Sequence, residues 1–199
     1  MKIASIGSGR IGGTLGKRWA AHGHEMMFGS RDPHGGHMQA LLAEAGPNAQ
    51  SGSVREAAAF GEAILLAVRP EHVEHALAEA GDLSGRILIN CTNRYDGASA
   101  DTEVRRLAPG ARVVRAFHTL PWEVLANPRY EGGRATAFVS GDDPSAVTVV
   151  AGLAADIGLD PVDVGGPDAM AKVEAANGTL WSVLEPLFGR EYSLQVLRR

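Results

Sequence analysis

Short apolar runs that alternate with amphipathic stretches predict an α/β fold, doubly wound, with a mainly parallel sheet and helices on both faces. Two further features support this. Residues 63–68 are almost wholly apolar, as expected of a strand covered on both sides. A G-x-G-x-x-G motif, Gly7 to Gly12, follows the first apolar run and opens a periodic helix.

Local signals then order the elements. Residues 2–6 read as a strand, 11–21 as a helix and 25–28 as a second strand. Residues 38–45 are helical, with Leu41, Leu42 and Ala45 on one face. Ser53-Val54-Arg55-Glu56 is a capping box for a helix ending near Gly61. After the strand at 63–68, Pro70 suits a helix's first turn. Strands at 86–91, 112–117 and 136–140 follow, with a helix at 102–107 between the first two. Asp143-Pro144 starts a helix to about residue 157, and 161–164 is a last short strand. Pro167 begins a helical segment, about 167–188, that Pro186 must end or kink. No repeat, linker or domain boundary interrupts the pattern, so 1–199 is read as one domain.

Bulk composition excludes several functions. The 199 residues carry 19 basic and 23 acidic side chains, a net charge of −4. Nothing here advertises nucleic acid or an anionic membrane, so any bound anion must be held locally. The single cysteine, Cys91, excludes an internal disulfide and a cysteine metal cage. No run of about 18 apolar residues is present to span a membrane. The apolar stretch at the N-terminus is too short for a signal peptide, and the expected address is the cytoplasm.

The glycine motif has a mechanical reading. Gly7 permits the tight turn out of the strand, Gly9 lets backbone approach a pyrophosphate, and Gly12 lets helix and strand pack closely. The helix N-terminus aims free N–H groups and its positive dipole end at the phosphates. The expectation is a single NAD(P)-binding, Rossmann-type domain with a C-terminal helix. Proteins that bind NAD place Asp or Glu at the end of the second strand to accept from the ribose 2′-OH. Here the chain reads Phe28-Gly29-Ser30-Arg31, about 20 residues on from the loop. Arg31 can fork onto a 2′-phosphate and Ser30 can donate to it, which selects NADP(H). Asp32 is the competing signal, as a ribose ligand or as a cap for the turn at Pro33.

With those residues in place, the chain resembles the NADPH-dependent coenzyme F420 reductases (F420:NADP oxidoreductases). The resemblance rests on Gly7–Gly12, on Gly29-Ser30-Arg31, on residues 68–73 (Val-Arg-Pro-Glu-His-Val) and on residues 116–121 (Ala-Phe-His-Thr-Leu-Pro). It implies that Ser8, Gly9, Arg10 and Ile11 hold the pyrophosphate, and Ser30 and Arg31 the 2′-phosphate. It implies that Val68, Arg69 and His72 lie along the cofactor, and that His118, Leu120 and Pro121 border the place where a deazaflavin stacks on the nicotinamide. Trp122 follows and is grouped with them as a substrate-side residue touching the same cleft, and a homodimer is expected. The chain departs from similar enzymes in having Gly35-Gly36 where a lysine is common, which leaves His34 or His37 to assist.

Hydride transfer between NADPH and F420 needs orientation rather than a protein nucleophile. The expected cleft lies at the carboxyl ends of the strands, where Val68, Asn93, His118 and Leu120 fall. Asn93 is grouped with the cofactor ligands. His118 is the candidate for proton handling, with a strand-end structural role as the alternative. Two other functions stay open: NADPH-dependent reduction of a flavin, quinone, ferric chelate or imine, and a non-catalytic NADPH sensor.

Other constellations read as structural. His72 and His75 lack a third metal ligand, and His75 is expected to face solvent. Cys91 reads as a buried hydrophobe. Trp181, Leu184 and Leu187 recur at helical spacing, as a packing face within the chain or toward a partner subunit.

Overall fold

The computed structural model describes residues 1–94, 100–197 and 199. Ten strands are assigned among them: β1 Lys2–Ile6, β2 Glu25–Gly29, β3 Ala49–Gly52, β4 Ala63–Leu66, β5 Ile87–Asn90, β6 Arg112–Arg115, β7 Arg129–Tyr130, β8 Gly133–Arg134, β9 Thr136–Gly141 and β10 Asp160–Asp163. The helices are α1 Arg10–Ala21, α2 Gly36–Ala45, α3 Val54–Phe60, α4 Val73–Ala80, α5 Ala100–Leu107, α6 Trp122–Ala126, α7 Pro144–Asp156 and α8 Pro167–Phe188, with a 3-10 turn at Pro70–His72.

Eight strands form one sheet in the order β10-β9-β6-β5-β4-β1-β2-β3. From β1 the chain builds outward through β2 and β3, then crosses back to β4 and builds the other way. β1 therefore pairs in parallel with both β2 and β4, and the topological switch point lies between β1 and β4. The registers align the carboxyl ends in one row: Ile6 opposite Gly29 and Leu66, Leu66 opposite Asn90, Asn90 opposite Arg115. β9 is antiparallel to β6, and β10 follows β9, so these two strands point their carboxyl ends away from that row.

Side chains alternate between two cores. Ile3, Leu65 and Ile89 join Leu15, Trp19 and Phe28 on one face, whereas Ala4, Ile64 and Leu88 join Val54, Val73 and Leu77 on the other. That double coverage explains why β4 and β5 are buried along their whole length. The Ser53 box forms as the sequence implies: Glu56 N donates to Ser53 Oγ at 3.2 Å and Ser53 N donates to Glu56 Oε2 at 2.7 Å.

Several elements depart from expectation. β3 was not anticipated, because its Ala-Gln-Ser-Gly sequence has no apolar period and forms only by pairing with the edge of β2. The short helix α6 and the β7–β8 hairpin were likewise unmarked. β4, β5 and β6 stop one or two residues early, which frees the segments after them to line the site. Pro186 sits in the last turn of α8, and the helix runs two residues further, because only the terminal hydrogen bonds are affected there. Of α8's side chains, only that of Met170 is fully buried. Leu187, expected on a packing face, is 68% exposed. Among the described residues no helix is long and apolar enough to cross a membrane.

Trp19 joins the first core to α7. It is fully buried, donates from Nε1 to Leu153 O at 2.9 Å, and meets Phe117 edge-to-face with centroids 5.7 Å apart. Trp19→Ala should destabilise the fold by about 3–5 kcal/mol, read as a lowered midpoint in urea unfolding.

Candidate functional site

The glycine loop is shaped by contacts that exclude side chains. Gly7 adopts φ +104°, and a Cβ there would lie 2.5 Å from Ala67 O. A Cβ on Gly12 would lie 1.9 Å from Gly7 O, so only hydrogen lets α1 dock this close to β1. At Gly9 the surroundings are open, with nothing within 4 Å of an added Cβ. Gly9 caps α1, no acidic residue sits in the first turn, and the helix points its free N–H groups at that opening. Gly7 and Gly12 thus take the structural roles their spacing implies, and Gly9 leaves the backbone open to approach. The donor set and the open cradle fit a pyrophosphate.

Beside the loop lies a cleft of about 190 Å³ at the carboxyl ends of β1, β2 and β4. Gly7, Ser8, Ser30, Arg31, Val68 and His72 all line it. Arg31 is exposed to it, while Asp32 turns back over Gly35: a Cβ on Gly35 would lie 2.1 Å from Asp32 Oδ2. Asp32 N donates to Ser30 Oγ at 3.1 Å and fixes that hydroxyl at the rim. His37 Nε2 lies 2.9 Å from Ser8 O, so its ring is engaged with the loop backbone. Arg69 projects outward, its side chain 81% exposed and 4.0 Å from Glu71. His75 faces solvent as expected, its side chain 74% exposed, and stands at the rim of the cleft that Ala76 and Glu79 also line.

The segment after β6 forms a second, more buried assembly. Phe117 is the one non-glycine residue with positive φ (66°) among those described. The conformation costs roughly 1–2 kcal/mol and is held by burial against Trp19. It turns the chain so that the His118 ring points inward, its side chain 2% exposed, with Nε2 2.8 Å from Glu174 Oε1 on α8. By strict geometry neither ring nitrogen has an aligned hydrogen-bond partner, although Nε2 stands within hydrogen-bond distance of the Glu174 carboxylate.

Arg115, at the end of β6, was not singled out from the sequence. Its Nε donates to Glu174 Oε1 at 2.9 Å, its Nη1 to Asn90 O at 3.3 Å and also to Thr92 O, and its Nη2 to Asn93 Oδ1 at 3.3 Å. Asn93 then donates from Nδ2 to His118 O at 2.9 Å, so its side chain is spent on the loop. A single arginine thereby ties the ends of β5 and β6 to α8. The sequence hint was an arginine closing an apolar strand, where a charge without partners would be costly.

Burial pushes the His118 imidazole below its ordinary range; Glu174 opposes this and Arg115 reinforces it. For Glu174, burial alone would raise the carboxyl, but His118 and Arg115 hold it down at about 2. The arginine carries that effect when the imidazole is neutral. Burial pushes the Cys91 thiol up to about 12, only partly offset by Arg115, so it stays a protonated core side chain.

Leu120 and Pro121 line a separate narrow crevice with Phe138, Asn177, Trp181 and Tyr192. Trp122 faces the other way: the Arg10 guanidinium lies 5.7 Å from its ring, which links the phosphate loop to α6. Thr119 Oγ1 and Trp122 Nε1 are buried without a protein partner. Ile11 is half-buried at the start of α1. Among the described residues, no three His, Cys, Asp or Glu side chains cluster to hold a metal.

A parallel sheet with a glycine loop and helix N-terminus at its switch point defines a dinucleotide-binding protein of the doubly wound class. Residues 2–94 match the family described as "NADP oxidoreductase coenzyme F420-dependent". The chain is 30% identical over 183 residues to the metalloreductase STEAP3 of Rattus norvegicus, covering 87% of this chain but only 36% of that protein. Among solved structures it resembles a protein of Arthrobacter sp. FB24, provisionally named an F420-dependent NADP-reductase, at 27% identity, TM-score 0.85 and full coverage of both chains. A hypothetical protein of Sinorhizobium meliloti matches at 27% identity and TM-score 0.76, over 100% of this chain and 96% of that one.

The two titrations act at different pH. The unfolded-state imidazole ionises near 6.5 and the buried one lower, so stability should fall as pH drops below about 6.5. The Glu174 contribution is present above its unfolded value of about 4.3 and is lost as pH falls toward 2. Urea unfolding from pH 7.5 to 3 should show both losses in the wild type, with His118→Gln lacking the first and Glu174→Gln the second.

Proposed function

We propose that this chain transfers hydride between NADP(H) and a deazaflavin coenzyme of the F420 type. The observation that carries the reading is the arrangement at the end of β2: Arg31 and Ser30 share one cleft with the open glycine loop, and the nearest acid, Asp32, is folded away over Gly35. A guanidinium there complements a 2′-phosphate and gives no acceptor to a bare ribose hydroxyl. The description of the matched family and the name of the Arthrobacter protein support F420 as the partner.

In this reading the backbone N–H groups of Ser8 to Ile11 hold the pyrophosphate at the N-terminus of α1. Gly7 and Gly12 give the loop its shape, Val68 and His72 border the cofactor, and Arg69 meets it at the rim. Bound NADP(H) would supply the hydride chemistry, with one proton taken up when the deazaflavin is reduced and released in the reverse direction. Arg115 and Asn93 fix the backbone after β5 and β6 at the nicotinamide end of the sheet. Leu120 and Pro121 form the acceptor side, in the crevice they line with Asn177 and Trp181. With its ring buried, His118 serves as a positioning residue at the end of β6, and proton delivery falls to solvent at the cleft mouth. The exposed stripe Leu180, Val183, Leu187 and Phe188 on α8 supports a homodimer.

The identity to STEAP3 favours a second reading, in which the acceptor is a flavin or a ferric chelate. Both readings share the cofactor half and differ only beyond the nicotinamide.

Arg31→Asp should weaken NADPH binding about 100-fold, with NADH affected far less, measured by fluorescence titration. Mixing the protein with NADPH and oxidised F420 should bleach the deazaflavin absorbance. Turnover with a flavin or ferric chelate alone would establish the second reading instead.

A further inference from the structure

One wall of the main cleft is not explained by phosphate or ribose contacts. His75, Ala76 and Glu79 occupy neighbouring positions on successive turns of α4, and all three line the cleft. Arg31 and Ser30 line it too, from the end of β2, and Val54 and Val68 contribute apolar surface. An apolar slot with a polar rim, one step beyond a cation that meets the ribose phosphate, has the chemistry to hold a flat heteroaromatic base. Among the described residues lining this cleft, Glu79 supplies the only carboxylate. Its side chain is 32% exposed, and His75 Nε2 stands 3.9 Å from its Oε2, which keeps the carboxylate along the helix.

An ionised carboxylate only accepts hydrogen bonds, so it discriminates by what faces it. The exocyclic amino group of adenine donates; the oxygen at the same position in hypoxanthine cannot, and it would set lone pairs against the carboxylate. A negative group near a phosphate site also opposes anion binding, so its presence needs a compensating donor on the ligand. We propose that Glu79 reads the amino group of the cofactor's adenine and makes the cleft selective for that base. The proposal rests on the NADP(H) reading, and concerns which end of the dinucleotide α4 recognises.

The test compares NADPH with its hypoxanthine analogue in equilibrium titrations of the full chain. Both ligands carry the same phosphates, so the ratio of their affinities cancels any change in overall charge. The wild type should prefer NADPH by about tenfold or more, the worth of one charge-assisted hydrogen bond. In Glu79→Gln, whose amide can present either a donor or an acceptor, the ratio should fall to within about threefold of unity. Glu79→Ala should do the same, and thermal melting of both variants confirms that they fold. A wild type that does not discriminate, or a variant that keeps the wild-type ratio, overturns the role of Glu79 and leaves NADP(H) binding intact. A wild type that binds neither ligand overturns the cofactor reading as well.

Discussion

The close approach of α1 to β1 organises the rest of the molecule. Gly12 passes so near the Gly7 carbonyl that a single methyl group would force helix and strand apart. Because they meet at that distance, the first turn of α1 directs its free N–H groups over the carboxyl edge of the sheet. The same docking presses Trp19 against Phe117, and that contact holds the segment after β6 in its left-handed turn. The open glycine loop at one end of α1 and the turn of the segment after β6, packed near its other end, are therefore set by one packing contact.

A second constraint is electrostatic. Arg115 is buried at the end of β6, and a charge taken out of water must find partners. It finds the carbonyls of Asn90 and Thr92, the amide of Asn93 and the carboxylate of Glu174. Glu174 brings the largely exposed α8 to the buried ends of β5 and β6. The charged cluster supplies direction more than net stability, because buried ion pairs gain little over apolar packing once desolvation is counted. It holds the ends of β5 and β6 in one register and keeps His118 turned inward.

The reading of His118 shows where sequence alone is a limited guide. Its place just beyond a strand end puts it at the carboxyl edge of the sheet. The direction of its ring depends on the φ of Phe117 and on a carboxylate 56 positions away, neither of which has a local signature. His75 stays exposed, as expected, yet its place at the rim of the cleft depends on how α4 docks on the sheet. Asp32 and Arg31 are adjacent in the chain, yet only the fold separates them, by laying the carboxylate over a glycine.

What the amino-acid order determined by itself was local and periodic: the apolar runs, the capping box at Ser53, the three glycines and their tasks, and the cation at the end of β2. Those features depend on neighbours within a few residues, so their physics is complete in a short window. Tertiary structure alone decided the pairing of β3, whose residues have no strand preference until an edge is offered. It also decided the reversal of β9 and the convergence of Arg115, His118 and Glu174, because burial, long-range pairing and charge compensation arise only when distant segments share one interior.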